Sequence, residues 1–98
     1  MAPSRDNRVG PVLTPGPLSE AVIAAIRALN GEVAVVDRGG YLRVLVPGRC
    51  RLTCAAVEQI TSAAFTLPGD LEAIMPAFRG RLVLEGSQVL WHDGEAPS

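Results

Sequence analysis

The run Val33-Ala34-Val35-Val36-Asp37-Arg38-Gly39-Gly40-Tyr41-Leu42-Arg43-Val44-Leu45-Val46 constrains the fold more than any other part of the chain. Two apolar, β-rich segments flank an Asp-Arg-Gly-Gly connection, which is the pattern of an antiparallel hairpin. A connection this tight requires positive φ, and Gly39 or Gly40 provides it without a steric penalty. Alternation along the second segment puts Tyr41, Arg43 and Leu45 on one face and Leu42, Val44 and Val46 on the other.

The flanking sequence supplies further elements. Residues 9–13 read as a short strand, which Pro11 places at an edge or a strand start because proline donates nothing to the ladder. Thr14-Pro15-Gly16-Pro17 reads as a turn. A helix then opens at Pro17 or Ser19, with Leu18, Val22, Ala25, Ile26 and Leu29 at helical spacing and Glu20 in the first turn. Asn30-Gly31 predicts a left-handed cap at its end. Residues 49–52 form a further strand after Pro47-Gly48. Thr53 is the predicted N-cap of a helix reaching about Ala64, with Val57, Ile60 and Ala64 along one stripe. A short helix follows Pro68-Gly69-Asp70, with Asp70 as its cap and Pro76 as its stop. Residues 81–84 and 89–91 form a last hairpin over Glu85-Gly86-Ser87. The expected class is α+β, with small antiparallel sheets packed against two to three helices. The order is strand–helix–hairpin, then strand–helices–hairpin. One domain over residues 7–92 is expected, with a mobile tail at residues 1–6 and a second tail at 93–98.

Composition narrows the class of function. With 98 residues, 48% of them apolar, the chain suits one folded domain with a modest core. Only Tyr41, Phe65, Phe78 and Trp91 are aromatic, so that core is chiefly aliphatic. All nine basic residues are arginine, and ten acids bring the net charge to −1. A nucleic-acid-binding domain would show a basic excess or stripe. No apolar run approaches the ~18 residues of a membrane span, and the first residues lack the apolar core of a signal peptide. These features point to a cytoplasmic protein in which Cys50 and Cys54 are reduced.

Few residues suggest chemistry. His92 stands alone, whereas a metal or general-base site needs further ligands or an orienting partner. It reads as an exposed residue at a strand end. Cys50 and Cys54 have three residues between them, which is not the redox or zinc spacing, and they read as small buried apolar residues. Gly39-Gly40 lacks the residues of a phosphate loop. Asp37, Glu58 and Glu72 form no shared carboxylate cleft. No cofactor or metal site is expected, and the chain reads as a binding protein rather than an enzyme.

Three segments in order resemble one family. Asn7, Val9, Gly10 and Pro11 match a pattern N-x-V-G-P. Val35, Asp37, Arg38, Gly40, Tyr41, Arg43 and Val44 match the pattern of a central hairpin. Phe65, Leu71, Glu72, Phe78 and Gly80 match a later segment. Together they resemble the small coupling, or effector, proteins of bacterial soluble diiron monooxygenases. That family serves toluene, phenol, alkene and methane oxidation. Gly69 is an extra residue relative to the family pattern, and Ile74 stands where relatives often carry Asn. The short segment before Asn7 is more similar to the toluene and alkene effectors than to the long-tailed methane regulators.

The resemblance implies a cofactor-free, non-catalytic, monomeric accessory protein. It would dock on the large subunit of a diiron hydroxylase and allosterically tune oxygen activation, substrate access and electron transfer. It would share that docking surface with a Rieske-type ferredoxin. The residues that the resemblance brings to the hydroxylase are Asn7, Val9, Gly10, Arg38, Arg43, Ile74, Met75, Pro76, Ala77 and Phe78. Met and Phe are enriched in interface cores, although either could equally pack inward. Met75 is expected to be the best exposed of the segment. The two arginines could pair with acidic groups on the hydroxylase or simply be solvated. Two rivals fit the same residues: a small ligand-sensing α+β regulatory domain, and a thiol-dependent enzyme using Cys50 and Cys54.

Overall fold

Alternating apolar strands with short turns fold here into two antiparallel sheets. The structure, a computed structural model, describes residues 7–94. The tail expected at residues 1–6 lies outside the described residues, as does most of the one at 93–98. Strand β1 spans Arg8–Leu13, helix α1 Pro17–Leu29, β2 Ala34–Asp37, β3 Leu42–Pro47 and β4 Arg49–Thr53. Then follow α2 Cys54–Thr61, α3 Gly69–Glu72, β5 Ala77–Arg79, β6 Arg81–Glu85 and β7 Gln88–His92. The first sheet has the order β2-β3-β1-β5 and the second β4-β7-β6. The α+β class and the order of elements agree with the sequence. Strand β5, which joins the second half of the chain to the first sheet, was not anticipated.

The predicted hairpin forms β2 and β3, with Asp37 opposite Leu42 and Ala34 opposite Leu45. Gly39 holds the positive φ, at 88°, and its N–H donates to the Asp37 carboxylate at 2.8 Å. The aspartate thus closes its own turn. On β3 the alternation holds for Val44 and Val46, which are buried. Leu45, on the opposite face, is buried as well.

Strand β1 is not at an edge. It lies between β3 and β5, and the physical reason is local. Its pairing with β3 runs through Arg8 and Val9, is interrupted at Gly10-Pro11, and resumes at Val12 and Leu13. The ladder breaks where proline has no N–H to give. Gly10 permits the close approach of the two strands: a Cβ there would collide with the Val44 carbonyl oxygen, and its φ is 147°.

Helix α1 begins with Pro17 in its first turn and buries Val22, Ala25 and Ile26. The predicted left-handed cap is absent. Asn30 is extended at φ −127° and ψ 153°, and its side chain ends the helix instead. The Asn30 amide donates to the Ile26 carbonyl at 2.7 Å and to the Arg51 carbonyl at 3.0 Å, while its oxygen accepts from the Arg51 N–H at 3.0 Å. One side chain therefore terminates α1 and satisfies the free edge of β4, a job a glycine cap could not do.

Thr53 caps α2 as predicted, accepting from the Ala56 N–H at 3.1 Å. The helix stops at Thr61 rather than near Ala64, because Ser62 turns left-handed at φ 60°. Of the predicted stripe only Val57 is buried; Ile60 and Ala64 are exposed. Asp70 does not cap α3. It lies inside that helix and accepts from the Thr66 N–H at 2.8 Å. One core joins both sheets and the helices through Leu13, Ile26, Val44, Leu52, Leu71 and Trp91. Among the described residues no helix is long and apolar enough to cross a membrane.

Candidate partner-docking surface

Pro76 ends the turn that follows α3 and sends the chain into β5, three residues at the margin of the first sheet. Gly10 pairs with Arg79, Pro11 with Phe78 and Val12 with Ala77. Upstream, the Ile74 carbonyl accepts the Thr14 N–H at 2.9 Å. Both ends of the segment 74–79 are therefore fixed to β1 or to the residue that follows it.

This tethering holds Phe78 out of the core. The ring is 45% exposed, and two grooves run along either side of it. The first, about 330 Å³, has Leu71 and Val89 at its floor, Met75 and Leu82 in its walls, and Phe78 and Leu84 at its rim. The second, about 460 Å³, is bounded by Val12, Tyr41, Arg43, Ala77 and Arg79, with Pro76 and Phe78 as the wall shared with the first. Large apolar side chains are normally buried. Among the described residues Tyr41, Ile60, Phe78 and Leu84 are the large hydrophobic residues left exposed. All but Ile60 stand on these two grooves, so the exposure is concentrated rather than scattered, as on surfaces built for a partner.

The residues expected at a partner surface divide into four groups. Pro76, Ala77 and Phe78 are exposed, and with the half-buried Arg43 and Met75 they line the grooves. Ile74 is half-buried and packs on the core beside Met75. Met75 is thus not the best exposed residue of the segment; Pro76, Ala77 and Phe78 are all more open, because the chain there runs along the sheet margin. Arg38 is exposed at the hairpin tip, its N–H donating to the Tyr41 carbonyl at 2.9 Å. Asn7 is exposed at the far end of β1, where its carbonyl accepts the Gly48 N–H. Val9 and Gly10 are buried and cannot touch a partner. Sequence reasoning passed over Tyr41, Leu82 and Leu84 as groove residues. Alternation in residues 81–85 places Leu82 and Leu84 on one face and was the available signal.

Several titratable side chains serve the fold. Glu58 accepts from the Phe65 N–H at 2.9 Å, and the His92 Nδ1 accepts from the Gly94 N–H at 3.2 Å. His92 is half-buried rather than exposed. Burial pushes the Cys50 thiol up to about 12. Cys54, only partly buried, is also raised, by desolvation and then by the nearby Glu58 carboxylate. A raised thiol is a poor nucleophile at neutral pH. Among the described residues no three His, Cys, Asp or Glu side chains gather as a metal site would require.

Solved structures share this fold. A phenol hydroxylase–regulatory protein complex contains a chain that superposes with a TM-score of 0.77 at 9% identity, over 87% of this chain and 95% of that one. Regulatory protein B of soluble methane monooxygenase superposes with a TM-score of 0.67 at 20% identity, over 95% of this chain and 69% of that one. In sequence, the effector subunit of the alkene monooxygenase system of Xanthobacter autotrophicus (strain ATCC BAA-1158 / Py2) is 42% identical over 89 residues. The match covers 89% of this chain and 87% of the relative. These relatives are named as effector or regulatory components and not as catalytic ones. The family profile matches residues 7–92, from the strand that carries Gly10 to the end of β7, and the chain belongs to the MmoB/DmpM family.

Proposed function

We propose that this protein is the effector component of a soluble multicomponent monooxygenase of the alkene or toluene type, and that it acts by docking on the hydroxylase. The observation that carries this reading is the exposed Phe78 between two apolar grooves, on a segment tethered at both ends to β1. Preorganised apolar surface is what a docking protein needs, since little ordering entropy remains to be lost on binding. The name of the alkene monooxygenase relative, at 42% identity, supports the same reading.

The mechanism follows from linkage. A protein without catalytic groups changes a reaction only by binding two states of the enzyme with different affinity. Seating Phe78 and its neighbours favours the hydroxylase conformation whose surface fits the two grooves. Oxygen activation, substrate access and electron entry then change with that conformation. A ferredoxin using the same hydroxylase surface would compete with the effector. A cytoplasmic setting with both thiols reduced fits the buried, unreactive Cys50.

The test is sedimentation of the protein with the hydroxylase of its own system, beside a titration of hydroxylase turnover. A stoichiometric complex and a saturable change in turnover are expected. Absence of both from the purified components would refute the reading.

A further inference from the structure

The second sheet has a face that the docking surface does not use. In an antiparallel sheet, directly paired residues share a face, and neighbouring strands lie roughly 5 Å apart. Arg49 of β4 pairs with His92 of β7, and His92 pairs in turn with Arg81 of β6. These three side chains form a row across all three strands. The next row on that face is Arg51, Leu90 and Val83. The alternate residues Cys50, Leu52, Trp91 and Val89 are buried in the core, so the arginine rows face outward. Arg49, Arg51 and Arg81 are exposed, while Leu90 and Val83 are half-buried between them.

This clustering does not follow from the overall charge, which is −1. Three arginines and the only histidine converge on one small face. On and just past these strands the acids are Glu85, at the far end of β6, and Asp93, which makes an interaction of its own. The face also lies behind the grooves. Leu82, Leu84 and Val89 point from the other side of the same strands into the groove beside Phe78. A partner seated there leaves the arginine face open.

We propose that the outer face of the β4-β7-β6 sheet is a second docking site, for the acidic surface of another protein, usable while the grooves around Phe78 are occupied. Charge complementarity identifies the occupant. Arginine is suited to bidentate contact with carboxylates, and Arg49 and Arg81, on either side of β7 and so roughly 10 Å apart, can each engage a separate carboxylate of the partner. The half-buried Leu90 and Val83 provide an apolar centre within a charged surround, as in protein interfaces. Nucleic acid fits less well, because three arginines on two short rows are not the extended basic stripe that tracks a phosphate backbone.

The experiment uses the full chain and the double variant Arg49→Glu/Arg81→Glu, with Arg49→Gln/Arg81→Gln as the milder form. Folding is checked by circular dichroism. The probe is poly-L-glutamate, titrated at low and at physiological salt, with a DNA duplex as the comparison polyanion. The intact protein should bind polyglutamate in preference to DNA, more weakly as salt rises. The Glu variant should lose roughly tenfold or more in affinity, the Gln variant less, and Arg38→Glu should leave it unchanged. Activation of the hydroxylase by the Glu variant should equal that of the intact protein. Four results would overturn the proposal: no polyglutamate binding at low salt, preference for DNA, equal loss in Arg38→Glu, or lost hydroxylase activation by a folded Glu variant. The last would mean that the face belongs to the hydroxylase interface. Failure of the intact protein to activate the hydroxylase would refute the effector reading itself while leaving the polyglutamate result to judge this site.

Discussion

Alanine at Gly10 and alanine at Gly39 should have very different consequences, although both glycines have positive φ. At Gly39, φ is 88° and an added Cβ meets nothing within 4 Å. The cost there is backbone strain alone, about 1 kcal/mol. At Gly10, φ is 147° and the Cβ would run into the Val44 carbonyl oxygen, with the Val44 carbonyl carbon 3.0 Å away. Backbone in the middle of β3 cannot step aside as a flexible side chain would, because Val44 is also paired with Val35 of β2. Relief requires β1 to lift from β3. That loosens the pairs on either side, Val9 with Val46 and Val12 with Arg43, at about 1 kcal/mol for each hydrogen bond lost. Added to the strain and to the packing lost around Leu13 and Val9, the total is about 4 kcal/mol, a large part of the ~5–15 kcal/mol that holds a domain together. Trp91, the single tryptophan, is fully buried and reports unfolding by fluorescence. With a urea slope of about 1.5 kcal/mol per molar, Gly39→Ala should lower the midpoint by roughly 0.7 M. Gly10→Ala should lower it by about 2.5 M or leave the chain unfolded without urea. Equal midpoints, or a larger loss at Gly39, would refute the argument that backbone approach, not φ, governs the site.

Three further outcomes follow from the same geometry. Phe78→Ala should weaken the hydroxylase complex by about 2 kcal/mol, since covering the exposed half of a phenyl ring removes about 90 Å² from water; the half-buried Met75, changed to Ala, should lose urea stability before affinity, and the reverse order in paired titrations would contradict this placement. Cys50 should resist thiol reagents until the protein unfolds, and because its folded value is raised from 9.0 to about 12, the linked stability is complete below pH 9 and lost as pH rises towards 12; flat stability across that alkaline window in thermal melts would count against it. Asn30→Ala should cost about 2 kcal/mol by freeing the Arg51 backbone and the end of α1, readable as a lower melting temperature, and a neutral effect would show that water replaces those bonds fully.

What could be read in advance follows a physical divide. The hairpin at Asp37-Arg38-Gly39-Gly40, the Thr53 cap and the last hairpin depend on residues within a few positions of one another, and their chemistry is local. Strand β5 depends on β1, more than sixty positions away, and three residues after a proline carry no alternation to reveal it. The interior position of β1 was missed for a similar reason: Pro11 argues for an edge unless the partner strand is known to skip a hydrogen bond there. Asn30 looked like a left-handed cap because its bonds to Arg51 are tertiary. In the site, the family resemblance marked residues 74–78 as a unit. It could not rank Met75 against Phe78, because which of them is covered depends on where β5 lies.

The buried members of the Asn7–Pro11 segment act on the proposed docking surface from within. Gly10 lets β1 lie against β3, and Pro11 breaks that ladder where β1 must also carry β5 on its other side. Val9 anchors the strand in the core, and Thr14, one residue past its end, holds the Ile74 carbonyl. One strand thus fixes both limits of the segment that presents Phe78. A residue type expected at an interface for its sequence pattern can therefore be required there for position and not for contact. Substitutions in β1 that leave a folded chain should change hydroxylase affinity through the placement of β5, whereas substitution of Phe78 should change it through lost contact area. The two are separable, since only the first loosens the backbone pairs of Gly10 with Arg79 and Val12 with Ala77 in the free protein.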